Sequence, residues 1–293
     1  GGHAQCVSVL ESMSLLTPEI TPLFRNHSQQ TTSNSNATKA SLFPSLSAEP
    51  DLILPDDDEF LLKFLRPCKW YPKSSFELVS PFGTIELKLG LPMITKNALS
   101  SEILYPLPER NHEGCRVLLI NAGKKWNPKM VTLDEIFRGA MLSLDAAMAE
   151  PKTQIAGVHV ILNMEGFSLS HVTHFTPSFA ASLTEWVQRC LPCRLKGIHI
   201  VNQPFIFNMV FAIFKPFLME KTRKRIHFHG TDRSSFVSHF GPKCIPTGLG
   251  GELVLPDMPI GETICEYFCW FEKDFEGNLT ISFISSKKYR FAS

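Results

Sequence analysis

The chain has 293 residues, 44% of them apolar and 19% charged, and a net charge of +1. That length allows one substantial core plus a smaller module, and the composition is that of a globular protein. A charge so close to zero excludes a global field that would draw the chain to nucleic acid, so any basic surface has to be local.

Residues 1–50 are rich in Ser, Thr, Asn and Gln around Asn26–Lys39 (NHSQQTTSNSNATK) and are expected to be disordered, with a short helix over Val7–Leu16. No basic start followed by an apolar run opens the chain, so no signal peptide is expected. The sequons at Asn26, Asn36 and Asn278 are then expected to stay unmodified. Order begins at Pro55, where four acids follow the proline and favour the positive end of a helix over Glu59–Leu65. A second helix, Lys73–Val79, opens after Tyr71-Pro72. Pro81, Gly83, Gly90 and Pro92 then break any periodic pattern over 80–105, so 51–105 reads as a partial helical module and an irregular linker.

From Gly114 a regular alternation begins. Strands are predicted at Arg116–Asn121, Val158–Met164, Gly197–Val201 and Ile226–His229. Helices are predicted at Thr132–Glu150, with Thr132 and Glu135 as reciprocal caps, and at Pro177–Cys190, Pro204–Arg225 and Ser234–Phe240. Gly248–Gly251 is a turn. This order predicts an α/β domain with a largely parallel sheet over 106–256. A last helix, Glu262–Phe275, and a polar tail fill 257–293.

The segment Pro204–Arg225 (PFIFNMVFAIFKPFLMEKTRKR) carries two apolar stripes at helical spacing. Phe207, Val210, Phe211, Phe214 and Leu218 form one; Ile206, Met209, Ile213 and Phe217 form the other. A surface helix ordinarily has one such stripe. The basic run Lys221, Arg223, Lys224 and Arg225 argues against burying the far end. The apolar part, about 14 residues and roughly 21 Å as a helix, is too short to cross a bilayer. These features predict a lid with one face over a hydrophobic cavity and the other available to a membrane, with Lys215-Pro216 as its hinge. Lys221 and Arg225 share a face if the helix continues, and Arg194 and Lys196 lie just before the preceding strand. Four cations at one mouth suit a phosphorylated headgroup.

No catalytic constellation emerges. Gly166-Phe-Ser168-Leu-Ser170 lacks the closing glycine of a nucleophile elbow, and no histidine is assigned to Ser168. Gly248, Gly250 and Gly251 do not sit between a strand and a long helix, and there is no P-loop. Eight scattered cysteines suit a reducing compartment, and Cys190-Leu-Pro-Cys193 reads as two ordinary thiols. His227 and His229 share one side of a strand and read as hydrogen-bonded sheet residues.

Four segments resemble the CRAL-TRIO lipid-binding family, in its tocopherol-transfer, retinaldehyde-binding and clavesin branch. They are Asp57–Pro72, Gly157–Pro177, Leu195–Gly230 and Phe240–Glu252, in the family's order. The resemblance implies a small helical module on an α/β lipid cage, one bound hydrophobic lipid, a helical gate, no catalysis and no metal or other cofactor. It places pocket positions at Phe137, Ala140, Leu144, Val158, Leu162, Phe175, Leu183, Ile198, Val210, Phe211 and Phe214, leaving Ile206, Met209, Ile213 and Phe217 for the membrane. It places a phosphatidylinositol bisphosphate cleft at Arg194, Lys196, Lys221 and Arg225. Apolar residues at Ala140 and Leu144 favour a hydrocarbon-like ligand. The function so implied is intracellular transfer of a tocopherol-, retinoid- or isoprenoid-like lipid by a monomer that docks to endosomal or other phosphoinositide-rich membranes. The alternative is a lipid-sensing adaptor in trafficking or signalling.

Overall fold

The computed structural model describes residues 58–86, 101–148 and 150–255. The readings for residues 1–50 and for Glu262–Phe275 lie outside these. Five strands form one sheet in the order β1 (Leu104–Pro106), β2 (Arg116–Asn121), β3 (Val158–Asn163), β4 (Leu195–Val201) and β5 (Ile226–Gly230). β2 to β5 are parallel, with β3, β4 and β5 each reached by a helical crossover, and β1 is an antiparallel edge on β2. This is an α/β fold with a mostly parallel sheet. β1 lies in the stretch that prolines and glycines made unreadable in the sequence.

The first two helices, α1 (Asp58–Leu65) and α2 (Pro72–Glu86), pack Leu61, Phe64, Leu65 and Val79 into a small core of their own. α2 runs on through Pro81 and Gly83, although Pro81 cannot donate the helical hydrogen bond expected there. Arg194 fastens this pair to the sheet domain: Nε donates to the Pro67 carbonyl (3.1 Å), and the two terminal nitrogens donate to those of Ile155 (2.7 Å) and Arg66 (2.8 Å).

α3 (Leu133–Met148) opens with the predicted reciprocal cap. Glu135 N donates to Thr132 Oγ1 (3.2 Å), and Thr132 N donates to the Glu135 carboxylate (2.6 Å). α4 (Pro151–Ala156) and α5 (Leu169–Val172) are short turns, followed by α6 (Pro177–Glu185). α6 loosens into a π-helical turn, Trp186–Cys190, rather than running regularly to Cys190.

Strand alternation divides the core. Ile120, Leu162, Ile198, Ile200 and Ile226 point to the side covered by α3 and α6. Val117, Leu119 and Ile161 point the other way, toward Phe236 of α9 (Arg233–Ser238), Phe240 and the closing turn around Ile245 and Leu249.

Candidate functional site

On the α3 and α6 side lies a cavity of about 210 Å³, lined by apolar side chains except at Thr184, Gln188 and Thr222. β2 to β5 form the floor. Ile136, Phe137 and Ala140 of α3, Phe175, and Phe179 and Leu183 of α6 form the walls. α7 (Phe207–Phe214) is the roof, through Phe207, Val210, Phe211 and Phe214, with Leu218 closing one corner. The roof is sealed by rings that meet edge to face. Phe214 lies 6.1 Å from Phe175 and 6.5 Å from Phe179, and Phe211 lies 5.0 Å from Phe228.

The three polar residues in the wall have used much of their hydrogen-bonding capacity on the protein. The Thr184 hydroxyl donates to the Ala180 carbonyl (2.6 Å), and the Thr222 carbonyl accepts from Arg225 N (2.9 Å). Gln188, on the π-helical turn, grips the gate from outside. Its Nε2 donates to the Phe217 carbonyl (3.1 Å) and its Oε1 accepts from Met219 N (2.7 Å).

Among the predicted pocket residues, Phe137, Ala140, Leu162, Phe175, Leu183, Ile198, Val210, Phe211 and Phe214 line the cavity. Leu144 and Val158 do not. They are packed behind it with Leu118, Trp186 and Leu191, because one further helical turn along α3 and the start of β3 both lie beyond the cavity's end. Trp126, Leu133 and Phe179, absent from the sequence reading, also line it.

The gate is not one helix. α7 ends at Phe214, Lys215–Phe217 tightens into a 3-10 turn at Pro216, and Leu218 and Met219 are extended before α8 (Glu220–Arg223). The outer stripe is changed accordingly. Met209 (55% exposed) and Phe217 (38%) face outward, Ile213 is half-buried, and Ile206 packs partly onto the core just before α7. Phe205 (89%) and Met219 (43%) join the outward set.

A scan against family models matches "CRAL/TRIO domain" over residues 100–251, more than half of the chain. The chain belongs to the CRAL/TRIO family. It is 33% identical to clavesin-1 of Rattus norvegicus over 219 residues, covering 71% of this chain and 61% of that protein, and 33% identical to clavesin-2 of Homo sapiens. It is 36% identical to the α-tocopherol transfer protein-like protein of Mus musculus over 201 residues, covering 67% of this chain and 58% of that protein. The chain thus spans less than two thirds of the length of these relatives. A solved structure, that of Sfh5, aligns with 85% of this chain at 14% identity and a TM-score of 0.47. CRAL/TRIO proteins are lipid-binding and generally without catalysis.

Three of the cations predicted for this CRAL/TRIO chain, Arg194, Lys196 and Arg225, lie at the start of β4 and are already partnered. Arg194 has three N–H groups on backbone carbonyls, Arg225 donates to the Leu195 carbonyl, and Lys196 lies 3.5 Å from Glu113. Lys221 is exposed and makes no ion pair among the described residues. Because α8 stops at Arg223, Lys221 and Arg225 do not share a helix face.

The structure supplies the histidine missing beside Ser168, in a capping role. His171 Nδ1 lies 3.0 Å from Ser168 N and 2.9 Å from Ser168 Oγ, and its Nε2 lies 2.9 Å from the Trp126 carbonyl. The pair closes the first turn of α5 as a reciprocal cap. Cys190 and Cys193 are free thiols; burial pushes both up, Cys190 to about 12, so neither supplies a ready thiolate.

Proposed function

We propose that this chain carries one hydrocarbon-rich lipid in the cavity under α7 and exchanges it at anionic membranes. The observation that carries this reading is the roof itself. One face of a single short helix closes an apolar cavity, while Phe205, Met209, Phe217 and Met219 beside it stand open to solvent. Apolar side chains grouped at an exposed segment mark a surface that meets something apolar. The basic residues Lys215, Lys221, Arg223 and Lys224 are exposed along the same stretch. Each cation near an anionic surface contributes about 1 kcal/mol.

In the proposed cycle the bound lipid is held by burial, about 25 cal/mol per Å² of apolar area removed from water. Lys221, with Lys196 and the remaining N–H groups of Arg225, engages a phosphatidylinositol bisphosphate headgroup. Arg194 chiefly fastens α1 and α2 to the sheet domain. The outward apolar residues then enter the interface, the hydrogen bonds from Gln188 to the gate break, and α7 lifts.

The reading is tested with the double variant Lys221→Ala/Arg225→Ala on vesicles with and without phosphatidylinositol bisphosphate. Weaker binding confined to the phosphoinositide vesicles supports the headgroup role. An unchanged phosphoinositide dependence removes it.

A further inference from the structure

The face of the sheet turned away from the cavity holds five imidazoles. Alternation sets His159 of β3, His199 of β4, and His227 and His229 of β5 on that face. His239, just after α9, lies over them, its ring 5.0 Å from that of His199 and 5.3 Å from that of His229. His159 Nδ1 and His199 Nε2 are 3.1 Å apart, and His199 Nδ1 and His229 Nε2 are 3.0 Å apart. Gly197 makes room for this row. A Cβ there would stand 2.6 Å from His199 Nε2 and 2.9 Å from His159 Nδ1.

A neutral imidazole has one N–H and one lone pair. A row of three therefore satisfies both hydrogen bonds but leaves an atom over at its inner end. That atom is His159 Nε2, which is buried without a hydrogen-bond partner. At the outer end His239 is exposed and makes no side-chain hydrogen bond among the described residues.

We propose that His199, His229 and His239 form a binding site for a divalent late first-row metal ion of the zinc class. One ring nitrogen from each lies within 4.8 Å of the other two. Imidazole nitrogen suits zinc, copper, nickel or cobalt, whereas calcium and magnesium take oxygen donors. Zinc–nitrogen bonds of about 2.0–2.1 Å put tetrahedral ligand atoms roughly 3.3 Å apart, near the present His199–His229 spacing.

The planes of those two rings lie within 10° of parallel, so the ion enters by turning them and replacing the proton they share. The proton of His199 then resides on Nε2 and donates to His159 Nδ1, and the proton of His159 moves to its Nε2. A nitrogen of His159 and a carboxylate oxygen of Glu113 lie within 4.8 Å of each other, which sets an acid beside His159, the ring that the ligating His199 faces. All rings stay neutral, and no proton is lost overall. Burial, reinforced by the neighbouring imidazoles, favours neutral rings, holding His199 down to about 2 and His229 to about 4. His239 provides the entry path, and the fourth position faces solvent. The ion would tie β4, which leads into the gate, to β5, which leaves it.

The full chain, stripped with chelator, is titrated with cobalt(II) and then zinc(II). One cobalt per chain, the intense visible bands of a four-coordinate site, and displacement by one zinc are expected. His239→Ala and the size-preserving His239→Gln should each weaken cobalt binding about tenfold or more. Their metal-free melting temperature should be unchanged, because the altered ring is exposed. His174→Ala, at an exposed histidine outside the row, should bind as the unmodified chain does. Absence of stoichiometric binding overturns the proposal, and so does binding that survives in both His239 variants.

Discussion

Glu150 is among the most heavily engaged single side chains in the molecule. Its carboxylate accepts from Arg116 Nε (3.0 Å), from a terminal nitrogen of Arg116 (2.6 Å), from Thr153 Oγ1 (2.6 Å) and from Arg110. Burial alone would push its pKa up, but the Arg116 hydrogen bonds and charge outweigh that and hold it below the ordinary 4.5. Between the folded and unfolded pKa values the unfolded chain binds more protons. The stability Glu150 contributes is therefore complete above about pH 4.5 and is lost as pH falls through the lower folded value. Glu150→Ala removes the carboxylate that pairs with both Arg116 and Arg110 and should cost about 3–5 kcal/mol in denaturant unfolding. It should also flatten the acid limb of the stability curve. Arg194 is a second residue whose role depends on distant partners. Its acceptors Arg66 and Pro67 lie 128 and 127 residues away, so its basic character was legible in the sequence and its use as a fastening was not. Arg194→Ala should expose α1 and α2 to faster amide exchange. Unchanged protection there would mean that apolar packing holds the helices without it.

At the scale of elements, the gate is held by few polar contacts, and both hydrogen bonds from Gln188 reach the extended link after Pro216. Each solvent-accessible hydrogen bond of this kind contributes about 0.5–1.5 kcal/mol. Gln188→Leu, which keeps bulk and removes both, should release a fluorescent lipid about 5- to 100-fold faster without loss of fold. An unchanged rate in a variant that still binds lipid would show that the aromatic seal of Phe175, Phe179 and Phe214 alone limits opening. The outward face makes a separate prediction. Met209→Asp and Phe217→Asp should slow transfer between vesicles and leave ligand binding in solution intact; equal loss of both would mean that these residues belong to the core. The inner stripe was legible because its 3–4 residue spacing survives within α7. The outer stripe was less so. Pro216 and the extended Leu218–Met219 break the helical period, which brings Met219 outward, while Ile206 precedes α7 and packs partly against the core.

At the scale of the molecule, the α/β order and its parallel strands were readable from apolar runs punctuated by caps and turns. β1 was hidden because three residues paired antiparallel on an edge carry almost no periodic signal. The histidine row was hidden for another reason: each strand shows one or two histidines, and only the register of β3, β4 and β5 assembles them. The whole arrangement places a cavity on one side of the sheet and the imidazoles on the other, with the gate strung between β4 and β5. On the proposed reading the cavity holds one lipid. The direct measurement is native mass spectrometry of the purified full chain beside Ala140→Phe, which fills the cavity wall with a ring, followed by solvent extraction. One hydrophobic lipid per chain, lost or sharply reduced in Ala140→Phe, is the predicted result. A chain that takes up no lipid even after incubation with vesicles, or equal lipid occupancy in the filled variant, would contradict it.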